Sequence, residues 1–239
     1  MVDILGGIIK AIQLILSGDP TLYGIVFRSF FFSGIAIVLA TLWGTPLAML
    51  IGLKDFRGKT LVKTFFNSLI GIPTVVLGLA LFLIFSKGGP LGFLGLLYTP
   101  GAIILGEAVL VTPILVSIAT TAIEAVDPEI MNLSKTLGAS ESQASIAVLK
   151  EALNGVLLSN IASFNRAIAE LGVALLVGGN IAGLTDVLTT AISRYTARGD
   201  LDLAIALGIM LMVFVFAINV VVIAARKAKF LLTLGRSPQ

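Results

Sequence analysis

Arg166, Glu170 and Glu107 are ionisable side chains inside long apolar stretches of this 239-residue chain. Arg166 and Glu170 are one helical turn apart, a spacing that brings opposite charges together on one face of a helix. Glu107 lies in an earlier apolar stretch. Because charges at membrane depth are costly unless paired or hydrated, we expect all three to face a bundle interior or a cavity. They would form either an ion pair that fixes helix register, or a route on which Arg166 attracts an anion.

Neutral hydrogen-bonding side chains accompany these charges. Thr74, Asn165 and Asn180 are candidates for a polar path that offers donors to an ion without trapping it. The alternative is that such groups bond a backbone carbonyl one helical turn back. The chain has no Cys and no His, so thiol chemistry, imidazole bases and the commonest transition-metal ligands are absent. The residue types favour transport over catalysis, and we predict no catalytic residue and no metal site.

Membrane helices are the elements that must position these residues. The chain is 57% hydrophobic and 12% charged, with a mean hydropathy of +1.08, which is far more apolar than a soluble domain. Crossing a hydrocarbon core of about 30 Å takes roughly 20 apolar residues. Five segments satisfy this length and predict an all-α integral membrane protein with a five-span helical bundle: residues 22–51, 64–85, 102–126, 152–178 and 203–225.

The two ends of the chain differ from this membrane domain, which we place at residues 19–226. In residues 1–18, apolar side chains follow one helical face, which predicts an amphipathic segment lying along the membrane surface. A sixth, short span is the alternative for this segment. Residues 227–239 form a basic tail.

A polar stretch at residues 127–151 interrupts the apolar segments. Asp127 suits a helix start, Gly138 suits a helix end, and Ser140 with Gln143 has the spacing of a capping box. This pattern predicts two helices joined at Gly138. The stretch is either an ordinary surface hairpin or a docking device.

The distribution of Lys and Arg predicts which side of the membrane this hairpin occupies. With five spans, ten basic residues lie on the side of the hairpin and the C-terminus, and four on the other. By the positive-inside rule, the hairpin side is the cytoplasm.

Gly58-Lys59-Thr60 resembles the end of a phosphate-binding P-loop, but the rest of the motif is missing. Leu53 stands where the first glycine is required, and a membrane helix precedes it instead of a strand. If ATP energises the activity, another subunit must hydrolyse it.

The hairpin resembles the coupling segment of type I ABC importer permease subunits. The pattern of that family is E-A-A, three residues, G, nine residues and I-x-L-P. Gly138, Ala139 and Ser140 match its central glycine region. Departures occur at residues 132–134, where Asn-Leu-Ser replaces E-A-A, and at residues 150–151, where Lys-Glu replaces L-P.

A second resemblance is to oxyanion permeases, especially their tungstate branch. It is carried by GIPTVVLG at 71–78, RAIAELG at 166–172, GGNI at 178–181 and LTTAI at 188–192. The resemblance implies the type I importer permease fold and a translocation path for tungstate, with molybdate, sulfate or another oxyanion as alternatives. It also implies that Gly138, Ala139 and Ser140 couple the chain to an ATPase.

The same resemblance implies a set of partners in the cell membrane of a prokaryote. These are a second copy of the chain, two cytoplasmic ABC ATPase subunits that bind ATP and Mg²⁺, and an extracytoplasmic solute-binding protein. No cofactor in this chain and no nucleic acid are expected. Two other classes stay open: a secondary transporter with Glu107 or Glu170 as proton carrier, and a membrane scaffold without transport activity.

Overall fold

The computed structural model describes the backbone of residues 4–234 and the side chains of residues 6–220. The side chains of the predicted basic tail, residues 227–239, lie outside this description. The described chain is helical throughout, which confirms the all-α prediction. Its helices are α1 (Ile4–Ser17), α2 (Pro20–Leu53), α3 (Lys59–Leu69), α4 (Thr74–Phe85), α5 (Pro100–Glu124), α6 (Pro128–Thr136), α7 (Glu141–Ile168), α8 (Gly172–Gly178), α9 (Leu188–Ala197) and α10 (Leu201–Leu234), with one 3₁₀ turn at Gly92–Leu94.

Three helices in the described residues are long and apolar enough to cross a membrane unbroken: α2, α5 and α10. Two further helical segments reach this length and apolar content only as bent pairs. Helices α3 and α4 meet at 98°, and α7 bends by 65° between Glu141–Glu151 and Leu153–Ile168. Counting each bent pair as one span gives five. We call the end of the bundle that carries α6 the hairpin side, and the other end the far side.

The bend between α3 and α4 and a further break, between α7 and α8, fall within segments that the sequence predicted as continuous spans. The span predicted at residues 64–85 is interrupted after Ile70, where Gly71 and Pro73 separate α3 from α4. Proline lacks the N–H that a continuous helix needs, and glycine lowers the cost of a turn. The span predicted at residues 152–178 is divided between α7 and α8 by residues 169–171.

Helix α1 packs against the far-side end of α10. It has 14 residues, fewer than the roughly 20 that cross a membrane. Lys10 Nζ lies 3.0 Å from Asp202 Oδ2, and Ala11 is fully buried. Gly18, with a φ of 71°, turns the chain into α2, where Asp19 Oδ1 accepts a hydrogen bond from Leu22 N at 2.9 Å. The contacts with α10 therefore anchor α1 to the bundle.

Close packing of α2 on α5 forms the centre of the bundle. A row of small residues faces α5 at four-residue intervals, as expected for helices that approach closely: Ala36, Ala40, Gly44, Ala48 and Gly52. A Cβ atom at Gly44 would lie 2.8 Å from Leu115 Cδ2, and one at Gly52 the same distance from Ile123 Cγ2.

Helices α7 and α5 approach each other more closely than α2 and α5 do, and a substitution at their contact tests this packing. A Cβ atom at Gly155 would lie 2.2 Å from Ala122 Cβ, so Gly155→Ala must push the two helices apart. We expect a loss of about 1–3 kcal/mol in stability, measured as a lower melting temperature of the purified protein in detergent. Ala122→Gly should restore the loss in the double variant.

Gly34→Ala is the matched control for Gly155→Ala. Gly34 is also helical, but nothing lies within 4 Å of a Cβ atom there. The melting temperature of this variant should equal that of the wild type or lie slightly above it, because alanine has a higher helix propensity than glycine. Equal melting of Gly155→Ala and Gly34→Ala would contradict the close contact between α5 and α7.

Candidate functional site

The break between α7 and α8 holds the Arg166–Glu170 pair. The carboxylate of Glu170 is 2% exposed and uses both oxygens: Oε1 accepts from Val173 N at 3.0 Å, and Oε2 lies 2.6 Å from Arg166 Nη1. Glu170 thus caps the start of α8 and neutralises Arg166 at the same time. The side chain of Arg166 is 33% exposed, so part of its guanidinium remains accessible.

Glu107 lies close to this pair without contacting the arginine. It is a buried residue of α5, 2% exposed, and its carboxyl group interacts with the Ser33 hydroxyl and, electrostatically, with Glu170. Among the described residues, Glu107 Oε2 has no hydrogen-bond partner. The structure therefore places the second acid beside Glu170, whereas only Glu170 forms an ion pair with Arg166.

Of the three neutral candidates for a polar path, Thr74 lies against the break. A Cβ atom at Gly172 would be 2.7 Å from Thr74 Oγ1, so the first residue of α4 touches the start of α8. Asn165 instead donates from Nδ2 to Asn219 Oδ1 of α10 at 3.2 Å. Asn180, in the turn after α8, donates to Thr190 O at 3.0 Å. The three therefore do not form one continuous row.

A buried charge network on the far side was missed by the sequence analysis. Asp186, 2% exposed, lies between two arginines: Oδ1 is 2.5 Å from Arg28 Nη2, and Oδ2 is 2.8 Å from Arg194 Nη2. Arg194 Nη1 also donates to Asn180 O at 3.3 Å. One signal was available, because Arg28 is a lone charge within the apolar helix α2. Its partner Asp186 is 158 residues away, and nothing in the sequence around Asp186 indicated this pairing.

The segments that carry the oxyanion-permease resemblance meet at this site. Thr189, in the segment at residues 188–192, donates its hydroxyl to Glu170 O, in the segment at 166–172. Asn180, in the segment at 178–181, donates a hydrogen bond to Thr190 O of α9, the residue after Thr189. Thr74, in the segment at 71–78, contacts Gly172. Three of these stretches thus meet at the break, and the fourth bonds α9 next to Thr189.

The hairpin has the architecture that its capping signals predict. Asp127 Oδ1 accepts from Glu129 N at 2.9 Å at the start of α6. Gly138 has a φ of 89°, the left-handed conformation that commonly ends a helix. The capping box is complete: Ser140 N donates to Gln143 Oε1 at 2.8 Å, and Gln143 N donates to Ser140 Oγ at 3.4 Å. The prediction of two helices joined at Gly138 is confirmed.

The hairpin presents an apolar pair on its surface. Leu133 of α6 and Leu137, which follows the last residue of that helix, are 61% and 80% exposed. The other face of α6 is packed, because Ile130 and Met131 contact a buried cluster that includes Val148 and Ala152 of α7. Ala139 N completes the turn by donating to Ser134 O at 3.0 Å. The arrangement is a mostly polar hairpin with two exposed leucines on its surface.

Comparisons with known proteins place this architecture in a family. Residues 44–228 match the family described as binding-protein-dependent transport system inner membrane component. The chain is 38% identical to the tungstate uptake system permease protein of Peptoclostridium acidaminophilum over 198 residues, covering 83% of this chain and 87% of that protein. It is 35% identical to the tungstate uptake system permease protein of Campylobacter jejuni, covering 82% of each chain.

A solved structure shows the same fold at low sequence identity. The inward-facing MetNI methionine ABC transporter superposes with a TM-score of 0.71 at 16% identity, covering 87% of this chain and 95% of that chain. Because a family match spans most of the sequence and the relatives agree over most of their length, the assignment does not depend on a single motif. The chain belongs to the family of inner membrane components of binding-protein-dependent transport systems.

Proposed function

We propose that this chain forms the membrane path of an ATP-driven importer for an oxyanion, with tungstate as the substrate. The observation that carries the proposal is the Arg166–Glu170 pair at the break between α7 and α8, in a chain similar to tungstate permeases over most of its length. A tetrahedral dianion needs hydrogen-bond donors and a modest positive potential, and it must also be released.

Arg166 supplies that potential. Its partial exposure leaves guanidinium N–H groups for a passing anion, while Glu170 removes the excess charge that would hold a dianion too tightly. Thr74 adds a neutral hydroxyl beside the same break. Asn165 and Asn180 are proposed as further polar groups of the path, although their present bonds run to α10 and α9. Glu107 is proposed as a further buried carboxyl group of the path.

In this proposal, the hairpin couples ATP hydrolysis in the ATPase subunits to transport through this chain. Two copies of the chain assemble with two cytoplasmic ATPase subunits, which bind ATP and Mg²⁺, and an extracytoplasmic binding protein delivers the anion. Each hairpin sits in a groove of one ATPase through Leu133 and Leu137, with Gly138, Ala139 and Ser140 shaping the turn. Closure of the ATPase pair on ATP draws the hairpins together and opens the path outward, and hydrolysis reverses the change. The hairpin and the C-terminus then face the cytoplasm, as the basic residues predict.

Uptake by the reconstituted complex tests this function. The complex is purified from native membranes through a tag on this chain and placed in liposomes with ATP inside and the binding protein outside. We expect ATP-dependent uptake of tungstate, with molybdate and sulfate as competitors measured in the same assay. Uptake driven by a proton gradient in liposomes that contain this chain alone would replace the importer with a secondary transporter. Failure to accumulate any of the three anions would refute the proposal.

A further inference from the structure

Helix α9 connects the far side of the molecule to the Arg166–Glu170 pair. Its buried face includes Leu188 and Ala191, and its opposite face, with Ser193 and Thr196, is exposed. The helix lies between the turn after α8 and the start of α10, and Gly199, with a φ of 79°, follows it. One short helix thus has an exposed far-side surface and a face packed into the core.

The start of α9 is fixed to α2. Leu188 N donates to Ser29 Oγ at 2.7 Å, so a side chain of α2 caps the first turn of α9. Two residues earlier, Asp186 forms its ion pair with Arg28 of α2, whose Nε also donates to Asp186 O at 3.2 Å. These bonds are buried or partly buried, where water competes least with them. Helix α9 therefore cannot shift without acting on α2 and on its own neighbours.

Thr189 adds a bond to the break itself. Its hydroxyl donates to Glu170 O, a carbonyl that precedes α8, whose first turn is closed by Leu175 N donating to Leu171 O at 2.8 Å. The same Glu170 holds Arg166 through its side chain. The backbone of Glu170 is thus bound to α9 and its carboxylate is bound to Arg166.

We propose that Thr189 is a positioning residue for transport, through which helix α9 sets the position of Glu170 and thereby of Arg166. A far-side partner that displaces α9 would pull on the Glu170 carbonyl, move the carboxylate and change how far Arg166 is neutralised. The inference rests on the proposed importer function and adds the residue that links far-side events to the anion site. Thr189 touches neither the anion nor the ATPase in this scheme.

Removing the hydroxyl tests the link. In the reconstituted complex, the measured quantity is the ATPase activity with loaded binding protein divided by the ATPase activity without it. Thr189→Val should lower this ratio about fivefold, because one lost net hydrogen bond changes an equilibrium by about that factor. Thr189→Ser keeps the donor and should retain the wild-type ratio. Thr64→Val, at an exposed position of α3 and outside the far-side surface, is the matched control and should behave as wild type.

A purely structural role of Thr189 predicts a different result. It would lower both ATPase rates and the melting temperature together and leave their ratio unchanged, which would overturn the proposal, as would a wild-type ratio in Thr189→Val. Thr189→Ala provides a second variant without the hydroxyl if the valine variant assembles poorly. In an Arg166→Lys background, which keeps the positive charge, the effect of Thr189→Val should be smaller than in the wild type. Full additivity of the two substitutions would contradict the link through Glu170.

The outcomes separate this inference from the proposed function. If the wild-type complex imports no oxyanion, the importer proposal fails before any variant is compared. If the wild type imports tungstate and Thr189→Val matches Thr64→Val, only the role of Thr189 is refuted.

Discussion

Arg166→Gln is expected to lower tungstate uptake by the reconstituted complex roughly tenfold to hundredfold, the effect of losing charge-assisted hydrogen bonds to an anion. The substitution removes the positive potential at the break and leaves the buried Glu170 carboxylate without its cation. Initial rates of uptake at several tungstate concentrations give the measurement, with complex yield on size-exclusion chromatography as the check on folding.

The double variant Arg166→Gln with Glu170→Gln separates the two roles of the pair. An unpaired buried charge costs about 3–5 kcal/mol, and neutralising both partners relieves that cost. If the pair only fixes helix register, the double variant should regain both stability and transport. If Arg166 serves the anion, stability should return while uptake stays low. Undiminished uptake in a normally folded Arg166→Gln complex would rule out a functional role for the arginine.

Gly138→Val should uncouple ATP hydrolysis from transport. Gly138 has a φ of 89°, a conformation that costs a residue with a Cβ atom about 1–2 kcal/mol and a β-branched residue more. The hairpin turn must change shape to avoid this cost, and a change of that size shifts a docking equilibrium by about tenfold. We therefore expect about tenfold less tungstate imported per ATP hydrolysed, with both quantities measured in the same liposomes.

Gly58→Val is the matched control for the hairpin. Gly58 has a φ of 93°, lies between α2 and α3 on the hairpin side and, like Gly138, has no atom within 4 Å of a built Cβ. The two substitutions carry the same conformational cost at different places. Normal coupling in Gly58→Val with loss in Gly138→Val would assign the effect to the hairpin. Equal coupling in the two variants would contradict the coupling role of Gly138.

Local signals explain what the sequence could predict. The hairpin was predictable because Asp127, Gly138 and Ser140 act within a few residues of themselves, and capping chemistry needs no tertiary context. Helical spacing predicted the Arg166–Glu170 contact, although Glu170 lies in the break after α7 and not on a continuous helix. The separation of α3 and α4 also had a local cause in Gly71 and Pro73, although the apolar content of that segment suggested one continuous span.

Long-range contacts explain what the sequence could not predict. The break at residues 169–171 has no proline or glycine before Gly172; it is stabilised by the Glu170 side chain on Val173 N and by Thr189 from a distant helix. The Arg28–Asp186 pair joins residues 158 positions apart, and nothing near Asp186 marks it as buried. The placement of Asn165 beside Asn219 depends in the same way on how α10 packs.

The length of α2 limits how the molecule can move. Its 34 residues extend about 51 Å, more than the roughly 40–45 Å of a bilayer with its headgroups, and Pro46 does not divide it. Arg28 and Ser29 near one end hold the α9 region, while Gly52 near the other end packs on Ile123 beside the hairpin. A stiff rod that tilts about its middle carries its two ends in opposite directions. In the proposed transport cycle, one tilt of α2 would therefore open one face of the membrane and close the other.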